Sequence, residues 1–401
     1  MHRIPALFSF AVAVAPALPA SPLLAQLPPA FDTEWRQVAE RWRRAAEEQG
    51  VVGASLALLI DGRVARLETQ GMADLERGLA VDEETIYHWA SITKTFTAIS
   101  VLQLRDRGLL DLDDPVVEYV PELRDVHDPF GPIEEVTIRT LLSHSAGFRG
   151  ATWPWGGDQD WHPHEPTEWS QLVAMMPYTR IEFEPGSKFA YSNPGIVFLG
   201  RVIEKVTGDV FEAYVDKNLF RPLGMRRAYF DTTPWHLLPH RSNHYFVRNG
   251  KPEAGGIDFN TGITVSNGGL NAPIPDMARY LAFLVGSPPD DVDADAVLAR
   301  SSLEEMWHTV VPIGDSGIGR ESMGLSFFLY DHDGRGLVGH TGTQRAFHSF
   351  FIVDPEARVA AIGAYNTVGE DGGAPRTHDL RVGTRDEVVR RIFPLFTGGA
   401  R

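Results

Sequence analysis

The stretch SITKTFTAISVLQL, residues 91–104, is apolar almost all round from Thr95 onward when it is wound as a helix. Gly108 follows it and supplies a helix stop. This pattern predicts a helix that is buried on every side. At its start, Ser91 and Lys94 stand three residues apart, and that spacing places both side chains on the same helical face.

The serine and the lysine at this helix start are a candidate nucleophile and base. A serine hydroxyl is a weak nucleophile at neutral pH unless a base lies within hydrogen-bonding reach, and the sequence holds no other Ser-x-x-Lys. Only 5 of its 37 basic residues are lysines, and a buried lysine can lose its proton whereas arginine cannot. The helix dipole lowers the pKa of a cation in the first turn further. Lys94 is therefore either the base for Ser91 or an ordinary surface lysine.

Two later motifs carry further candidate groups. The sequence FAYSN contains Tyr191 and Asn193, a phenol that can relay a proton and an amide that can hold both lysine and substrate. The sequence HTG runs from His340 to Gly342 at the end of a predicted strand. Its glycine allows substrate to approach the backbone closely, and an edge strand there can offer an N–H to a developing oxyanion. Each motif alone also fits a purely structural role.

Together, in this order and spacing, the three motifs resemble the active-site signature of the penicillin-recognising serine hydrolases. The branch concerned holds class C β-lactamases, D-alanyl-D-alanine carboxypeptidases, D-aminopeptidases and β-lactamase-like esterases. The resemblance runs from about Val51 to Asn366. It includes segments without obvious chemistry, namely GLLDLDDP at 108–115, LLSHSAG at 141–147, PGS at 185–187, PLGM at 222–225 and GGL at 268–270.

The resemblance implies a role for each site residue and requires no cofactor. Ser91 attacks the substrate carbonyl and forms an acyl-enzyme, and Lys94 takes its proton. Tyr191 exchanges protons with Lys94 and the leaving group, so either of the two can be the base. Asn193 positions the substrate and Lys94, and the backbone N–H groups of Ser91 and Thr343 form the oxyanion hole.

The chain departs from the family at and after the third motif. His340 stands where many relatives have lysine, and His-Thr-Gly is the form seen in carboxypeptidase-like and esterase-like members. Relatives often continue Gly-Thr-Pro-Gly-Phe, whereas this chain reads TQRAF at 343–347. Arg345 in that segment either pairs with a substrate carboxylate or is a solvated surface residue. A small ester, a D-amino-acid peptide and a β-lactam are the expected substrates, in that order. A protein that is acylated without turnover is the alternative.

The distribution of strand and helix signals predicts an α/β fold. The predicted strands span 51–60, 63–69, 324–330, 336–340, 347–353 and 359–365, and the tight turn Asp61-Gly62 predicts that the first two form a hairpin. The predicted terminal helices span 31–48 and 385–393. We expect an antiparallel sheet with the terminal helices on one face and an inserted, mainly helical subdomain on the other. The α/β part covers about 30–90 and 320–401, and the helical part about 91–319, of a single catalytic domain over 26–401.

Residues 1–25 read as an export signal. His2 and Arg3 form a short basic segment before the apolar run of 7–15, and small residues follow up to Ala25. We expect cleavage after Ala25. The alternative, a membrane anchor, is disfavoured because the run is too short and is broken by Pro16 and Pro19. The protein is therefore expected to be secreted or periplasmic, with no stable membrane span.

Composition excludes several other classes of protein. A net charge of −16 argues against a nucleic-acid partner, and the absence of cysteine excludes disulfides and thiolate sites. His162 and His164 suggest a metal pair, but no HExxH helix or third ligand accompanies them, so no metal site is expected. No Gly-x-Ser-x-Gly elbow is present. Four tryptophans within 153–169 form either a packed loop or an aromatic lid.

Overall fold

A computed structural model describes residues 27–148, 167–370 and 373–396. Its strands are β1 (Gly53–Ile60), β2 (Arg63–Asp74), β3 (Leu79–Ala80), β4 (Ile86–His88), β5 (Tyr229–Phe230), β6 (Tyr245–Arg248), β7 (Lys251–Ala254), β8 (Leu270–Pro273), β9 (Val311–Ser316), β10 (Gly319–Met323), β11 (Phe328–His332), β12 (Arg335–Gln344), β13 (Phe347–Asp354), β14 (Val359–Tyr365) and β15 (Thr367–Gly369). Its helices are α1 (Phe31–Gln49), α2 (Thr93–Asp106), α3 (Ile138–Leu142), α4 (Trp169–Val173), α5 (Asn193–Thr207), α6 (Phe211–Val215), α7 (Arg221–Leu223), α8 (Val265–Gly268), α9 (Ile274–Leu284), α10 (Ala294–Val297), α11 (Arg300–Glu305) and α12 (Thr377–Arg391).

A nine-stranded antiparallel sheet, in the order β3-β2-β1-β14-β13-β12-β11-β10-β9, joins the two ends of the described chain. β1 pairs with β14 from Ala54 opposite Tyr365 to Ile60 opposite Val359. The predicted hairpin between β1 and β2 is present, and its turn residues Asp61 and Gly62 both have positive φ. The predicted α/β fold with a large antiparallel sheet is confirmed.

One face of the sheet is covered by α1 and α12. Trp35 and Trp42 of α1 pack with Ile352 and Val388 in one buried cluster. The Trp42 indole N–H also donates to the Tyr365 hydroxyl at 3.0 Å. Strands β13 and β14 are buried at every residue, because the opposite face of the sheet is covered as well.

The opposite face packs against the helical part of the chain, whose central helix is α2. Every residue from Thr93 to Leu104 is buried, as the all-round apolar pattern predicts. Phe96 of α2 stacks on Tyr280 of α9 with ring centroids 4.2 Å apart. The catalytic candidates at the start of α2 therefore lie at the junction between the sheet and the helices.

Two predicted boundaries are wrong. The strand predicted over 324–330 starts only at Phe328, because Gly324 and Ser326 turn the chain between β10 and β11. The Gly324 N–H donates to Phe327 O, and Ser326 adopts a φ of 61°. The closing helix begins at Thr377, eight residues before the predicted start. Its buried face carries arginines, so the apolar periodicity that marks a helix is missing there.

Residues 1–25, the predicted export signal, lie outside the described residues. Among the residues that are described, no helix has both the length and the apolar character needed to cross a membrane.

Candidate active site

The candidate nucleophile sits on a strained turn that is anchored to two strands. Ala90, directly before Ser91, has a φ of 50°, a left-handed conformation that costs a non-glycine residue energy and is typical of functional sites. The Trp89 N–H donates to Leu270 O at 2.8 Å, and the Ser349 hydroxyl donates to Trp89 O at 3.1 Å. These bonds hold the turn so that Ser91 is half-buried at the start of α2.

Lys94 lies within reach of Ser91 and is fully buried. Its Nζ is 2.9 Å from Ser91 Oγ and donates to the backbone oxygen of Asn267 at 2.8 Å. Among the described residues no carboxylate forms an ion pair with it. Burial therefore holds the pKa of Lys94 well below its usual value. A neutral amine in this position can donate one N–H to Asn267 and direct its lone pair at the Ser91 proton.

Tyr191 completes a close group with the serine and the lysine. Its ring centroid lies 5.0 Å from Lys94 Nζ. Burial raises the pKa of Tyr191 above its usual value, while a hydrogen bond with Ser91 and the charge of Arg381 act in the opposite direction. The phenol is therefore protonated at neutral pH and can give a proton to a leaving group.

His340 is a neutral ring beside this group. Its Nδ1–H donates to Thr341 O at 2.7 Å, which leaves the lone pair on Nε2. Burial is the main cause that lowers the pKa of His340 to about 3. Nε2 is buried and has no hydrogen-bond partner in the described part of the chain. The position that carries a lysine in many relatives therefore carries no charge here.

The strand that follows His340 runs very close to the nucleophile turn. A Cβ on Gly342 would lie 2.2 Å from Trp89 O and 2.3 Å from Ser349 Oγ, so only glycine fits. Thr343, the next residue, pairs with His348 of β13 and its side chain is exposed. Gly342 thus brings the backbone of β12 against the turn that carries Ser91.

Two predicted substrate-binding residues, Asn193 and Arg345, lie at the start of α5 and in the turn after β12. Asn193 is the first residue of α5, and its Oδ1 is buried without a partner among the described residues. The described hydrogen bonds of Lys94 go to Ser91 and Asn267, and Asn193 is not among its partners. Arg345 lies in the turn after β12 with a φ of 53° and is exposed, its guanidinium 5.5 Å from the Phe259 ring centroid.

The sequence interpretation missed three residues that contact this group. The backbone oxygen of Asn267 holds Lys94, and a backbone atom carries no residue-type signal. His144 belongs to the LLSHSAG segment, which carries no obvious chemistry in the sequence; it adopts a φ of 53°, and its ring stacks on Tyr191. Arg381 of α12 donates to Gly342 O at 2.8 Å. The sequence feature that could have indicated Arg381 is its spacing from Arg385. Two arginines one helical turn apart lie on the same face of a helix, and α12 packs on the sheet.

Residues 149–166, which include His162, His164 and three of the clustered tryptophans, lie outside the described residues. Within 27–148, 167–370 and 373–396, no three His, Asp or Glu side chains are grouped as metal ligands would be.

The sequence model of the family described as "Beta-lactamase" matches residues 38–384. The chain belongs to the Beta-lactamase family. The predicted membership of the penicillin-recognising serine hydrolases is thereby confirmed, and with it the class of enzyme, a serine hydrolase.

Relatives of this Beta-lactamase family chain include an esterase. Esterase EstB of Burkholderia gladioli is 29% identical over 88% of this chain and 97% of its own length. Protein flp of Staphylococcus aureus (strain MW2) is 24% identical over 80% of this chain, and the chain spans only 60% of that protein's length.

Several solved structures share the fold. An octameric penicillin-binding protein homologue from Pyrococcus abyssi has a TM-score of 0.73 at 28% identity, over 89% of this chain and 78% of its own. A D-stereospecific amidohydrolase from a Streptomyces species has a TM-score of 0.67 at 25% identity, over 89% and 98%. A class C β-lactamase has a TM-score of 0.72 at 18% identity, over 92% and 98%, a likeness that bears on the fold alone.

Proposed function

We propose that this serine hydrolase cleaves small esters through an acyl-enzyme on Ser91. The observation that carries the proposal is the 2.9 Å separation between Ser91 Oγ and the Nζ of Lys94, a buried amine without a described carboxylate partner. A neutral amine at that distance is the base that a serine nucleophile requires.

The proposed reaction has two half-reactions. Lys94 takes the proton of Ser91 as Oγ attacks the ester carbonyl, and the N–H groups of Ser91 and Thr343 bind the oxyanion. Tyr191 passes its proton to the departing alkoxide and takes the proton held by Lys94, so that both groups return to their neutral forms while the acyl group remains on Ser91. Water then attacks the acyl-enzyme, the same groups act in reverse, and the acid is released.

The charge of the site favours a neutral substrate over a β-lactam. A β-lactam carries a carboxylate, and a cation beside the reacting centre would bind it. His340 is neutral where many relatives have lysine, since burial holds its pKa at about 3. The rings of Phe328 and Tyr191 lie nearly parallel with centroids 6.3 Å apart, and Phe328 lies 5.1 Å from His340. This aromatic surface supports an apolar ester, as does the likeness to Esterase EstB.

A D-amino-acid peptide is the second candidate substrate. The likeness to the Streptomyces D-stereospecific amidohydrolase supports it, and Arg345 offers a cation for a peptide carboxylate two residues beyond Thr343. A panel of p-nitrophenyl esters, D-Ala-D-Ala peptides and nitrocefin tested on one purified sample separates the candidates. We expect turnover beyond one equivalent for the esters. A single equivalent of product would instead indicate a protein that is acylated without turnover.

The proposal also places the enzyme outside the cytoplasm, in the periplasm or the medium. The pattern of residues 1–25 supports export, with cleavage after Ala25. N-terminal sequencing of the protein recovered from its native host should then begin at Gln26. A mature protein that retains Met1 would contradict export.

A further inference from the structure

A guanidinium lies buried directly behind the strand that faces the candidate nucleophile. Arg381 of α12 is only 4% exposed, and its Nη1 donates to Gly342 O at 2.8 Å, Thr343 Oγ1 at 3.0 Å and Ser349 O at 3.4 Å. Its Nη2 lies 3.0 Å from His378 Nδ1. Within the described residues, no carboxylate forms an ion pair with it. A buried charge without an opposite charge is costly, so the hydrogen bonds that Arg381 donates must offset this cost.

The principal target of Arg381 is one particular peptide group. The carbonyl of Gly342 and the N–H of Thr343 belong to the same peptide, which is trans. In a planar trans peptide the C=O and the N–H point in opposite directions. A donor that holds Gly342 O on one side therefore also fixes the direction in which the Thr343 N–H points on the other.

We propose that Arg381 is a positioning residue of the oxyanion hole, which fixes and polarises the Gly342–Thr343 peptide so that its N–H binds the developing oxyanion more strongly. This inference rests on the acyl-enzyme function proposed above. A charged donor on an amide oxygen makes the stronger kind of hydrogen bond. It also polarises the amide, so that the N–H at the other end becomes a better donor.

Arg381 also connects the two halves of the proposed hole. It bonds both Gly342 of β12 and Ser349 of β13, and the Ser349 hydroxyl in turn donates to Trp89 O. Trp89 begins the turn that presents Ser91. One side chain therefore fixes the strand that supplies the first N–H relative to the turn that supplies the second.

A merely structural arginine would join α12 to the sheet without affecting the reaction. The two roles differ in kinetics, because an oxyanion is formed in the transition state and not in the bound substrate. Loss of an oxyanion-hole contact lowers kcat and leaves KM nearly unchanged. Loss of a structural brace lowers thermal stability instead.

The test compares Arg381→Met and Arg381→Lys with the wild type, and Arg385→Lys serves as the matched control. Arg385 is buried one helical turn further along α12 but donates to Asp386 and Tyr330. Single-turnover acylation by p-nitrophenyl acetate is followed over a range of ester concentrations. Removing a whole oxyanion donor costs 10²–10³-fold, so we expect about a 10-fold slower limiting rate for lysine and about 100-fold for methionine. The half-saturating concentration should change by less than about twofold in each.

An infrared signature accompanies the kinetic test. The acyl-enzyme formed with a ¹³C=O-labelled ester should show its ester carbonyl band at higher wavenumber in Arg381→Lys than in wild type, because a weaker oxyanion hole polarises the carbonyl less. Arg385→Lys should leave both the rate and the band unchanged. If Arg381→Met does not fold, Arg381→Lys alone carries both measurements.

The outcomes separate this inference from the function on which it rests. If the wild type is acylated on Ser91 and the Arg381 variants are acylated at the same limiting rate, the inference is wrong and the proposed function stands. Equal losses in Arg381→Lys and Arg385→Lys would also overturn it. If the wild type itself is not acylated on Ser91, the proposed function fails and this inference fails with it.

Discussion

The imidazole ring of His144 stacks on the phenol ring of Tyr191, with ring centroids 4.4 Å apart and planes inclined by 29°. His144 Nδ1 accepts the Ser192 N–H at 3.1 Å, so the ring proton is on Nε2. Burial is the main cause that holds the pKa of His144 well below its usual value. A neutral, backbone-anchored ring therefore fixes the plane of Tyr191.

Replacing His144 with asparagine should lower kcat and leave the protein folded. Asparagine tolerates the left-handed φ and offers an acceptor for the Ser192 N–H, but it removes the ring that packs on Tyr191. Since small misplacements of catalytic groups are costly, we expect kcat for p-nitrophenyl acetate to fall roughly 10- to 100-fold. Unchanged kcat in a folded His144→Asn variant would show that the stacking does not position the phenol.

Lys94→Arg should be nearly as damaging as Lys94→Ala. Arginine keeps the positive charge but cannot accept a proton at neutral pH, and general base catalysis contributes about 10²–10⁴-fold to the rate. Steady-state ester hydrolysis measures the loss, and Lys251→Arg, an exposed replacement of the same type in β7, is the control. Retention of most activity by Lys94→Arg would leave Tyr191 as the candidate base.

The sequence predicts the arrangement of Ser91 and Lys94 most directly. A single Ser-x-x-Lys before an apolar helix was enough to predict that Ser91 and Lys94 share a helical face, and Nζ lies 2.9 Å from Oγ. The hairpin at Asp61 and strand β14 followed equally directly from turn chemistry and apolar runs. These features depend on the spacing of residues that are close together in the chain, and the sequence shows that spacing directly.

Features that depend on contacts between distant segments could not be predicted. Asn267 acts through its backbone oxygen, and Arg381 reaches Gly342 across 39 positions of sequence. The sequence pattern predicts the start of α12 too late, because its buried positions include Arg381 and Arg385, and arginine usually indicates a solvent-facing position. These polar groups are buried because residues distant in the sequence satisfy their hydrogen bonds. A local sequence pattern does not predict such contacts.

His348 should make the protein less stable in acid. Burial, then the charge of Arg381, lowers the pKa of His348 to about 3, against about 6.5 in an unfolded chain. Because the unfolded state binds this proton first, stability falls as pH drops below about 6.5, by up to about 1.4 kcal/mol per pH unit. Between pH 7 and 5, the free energy of unfolding measured with urea should therefore fall by roughly 1 kcal/mol per pH unit less in His348→Gln than in the wild type.

Unfolding measurements at and above about pH 8 provide the control for His348. Above the unfolded pKa both states of the chain are neutral at this position, so the difference in unfolding free energy between wild type and His348→Gln should not vary with pH there. If the unfolding free energies of the two proteins changed equally with pH between pH 7 and 5, His348 would not be the cause of the loss of stability in acid.

Arg345→Ala should discriminate between substrate classes. Its guanidinium is exposed beside Phe259 and two residues beyond Thr343, where it can pair with a substrate carboxylate. We expect kcat/KM for carboxylate-bearing substrates to weaken by about 1–3 kcal/mol and that for neutral esters of similar size to stay nearly constant. Equal losses on both classes would make Arg345 structural, and no loss on either would make it a solvated surface residue.

The site of covalent attachment tests the central claim most directly. The protein is treated with a fluorophosphonate, digested and mapped by mass spectrometry, with Ser91→Ala as the matched control. We expect one adduct, on the peptide that contains Ser91, and its loss together with ester turnover in a Ser91→Ala variant that melts at the wild-type temperature. An adduct on another residue, or ester turnover that survives in Ser91→Ala, would contradict the account.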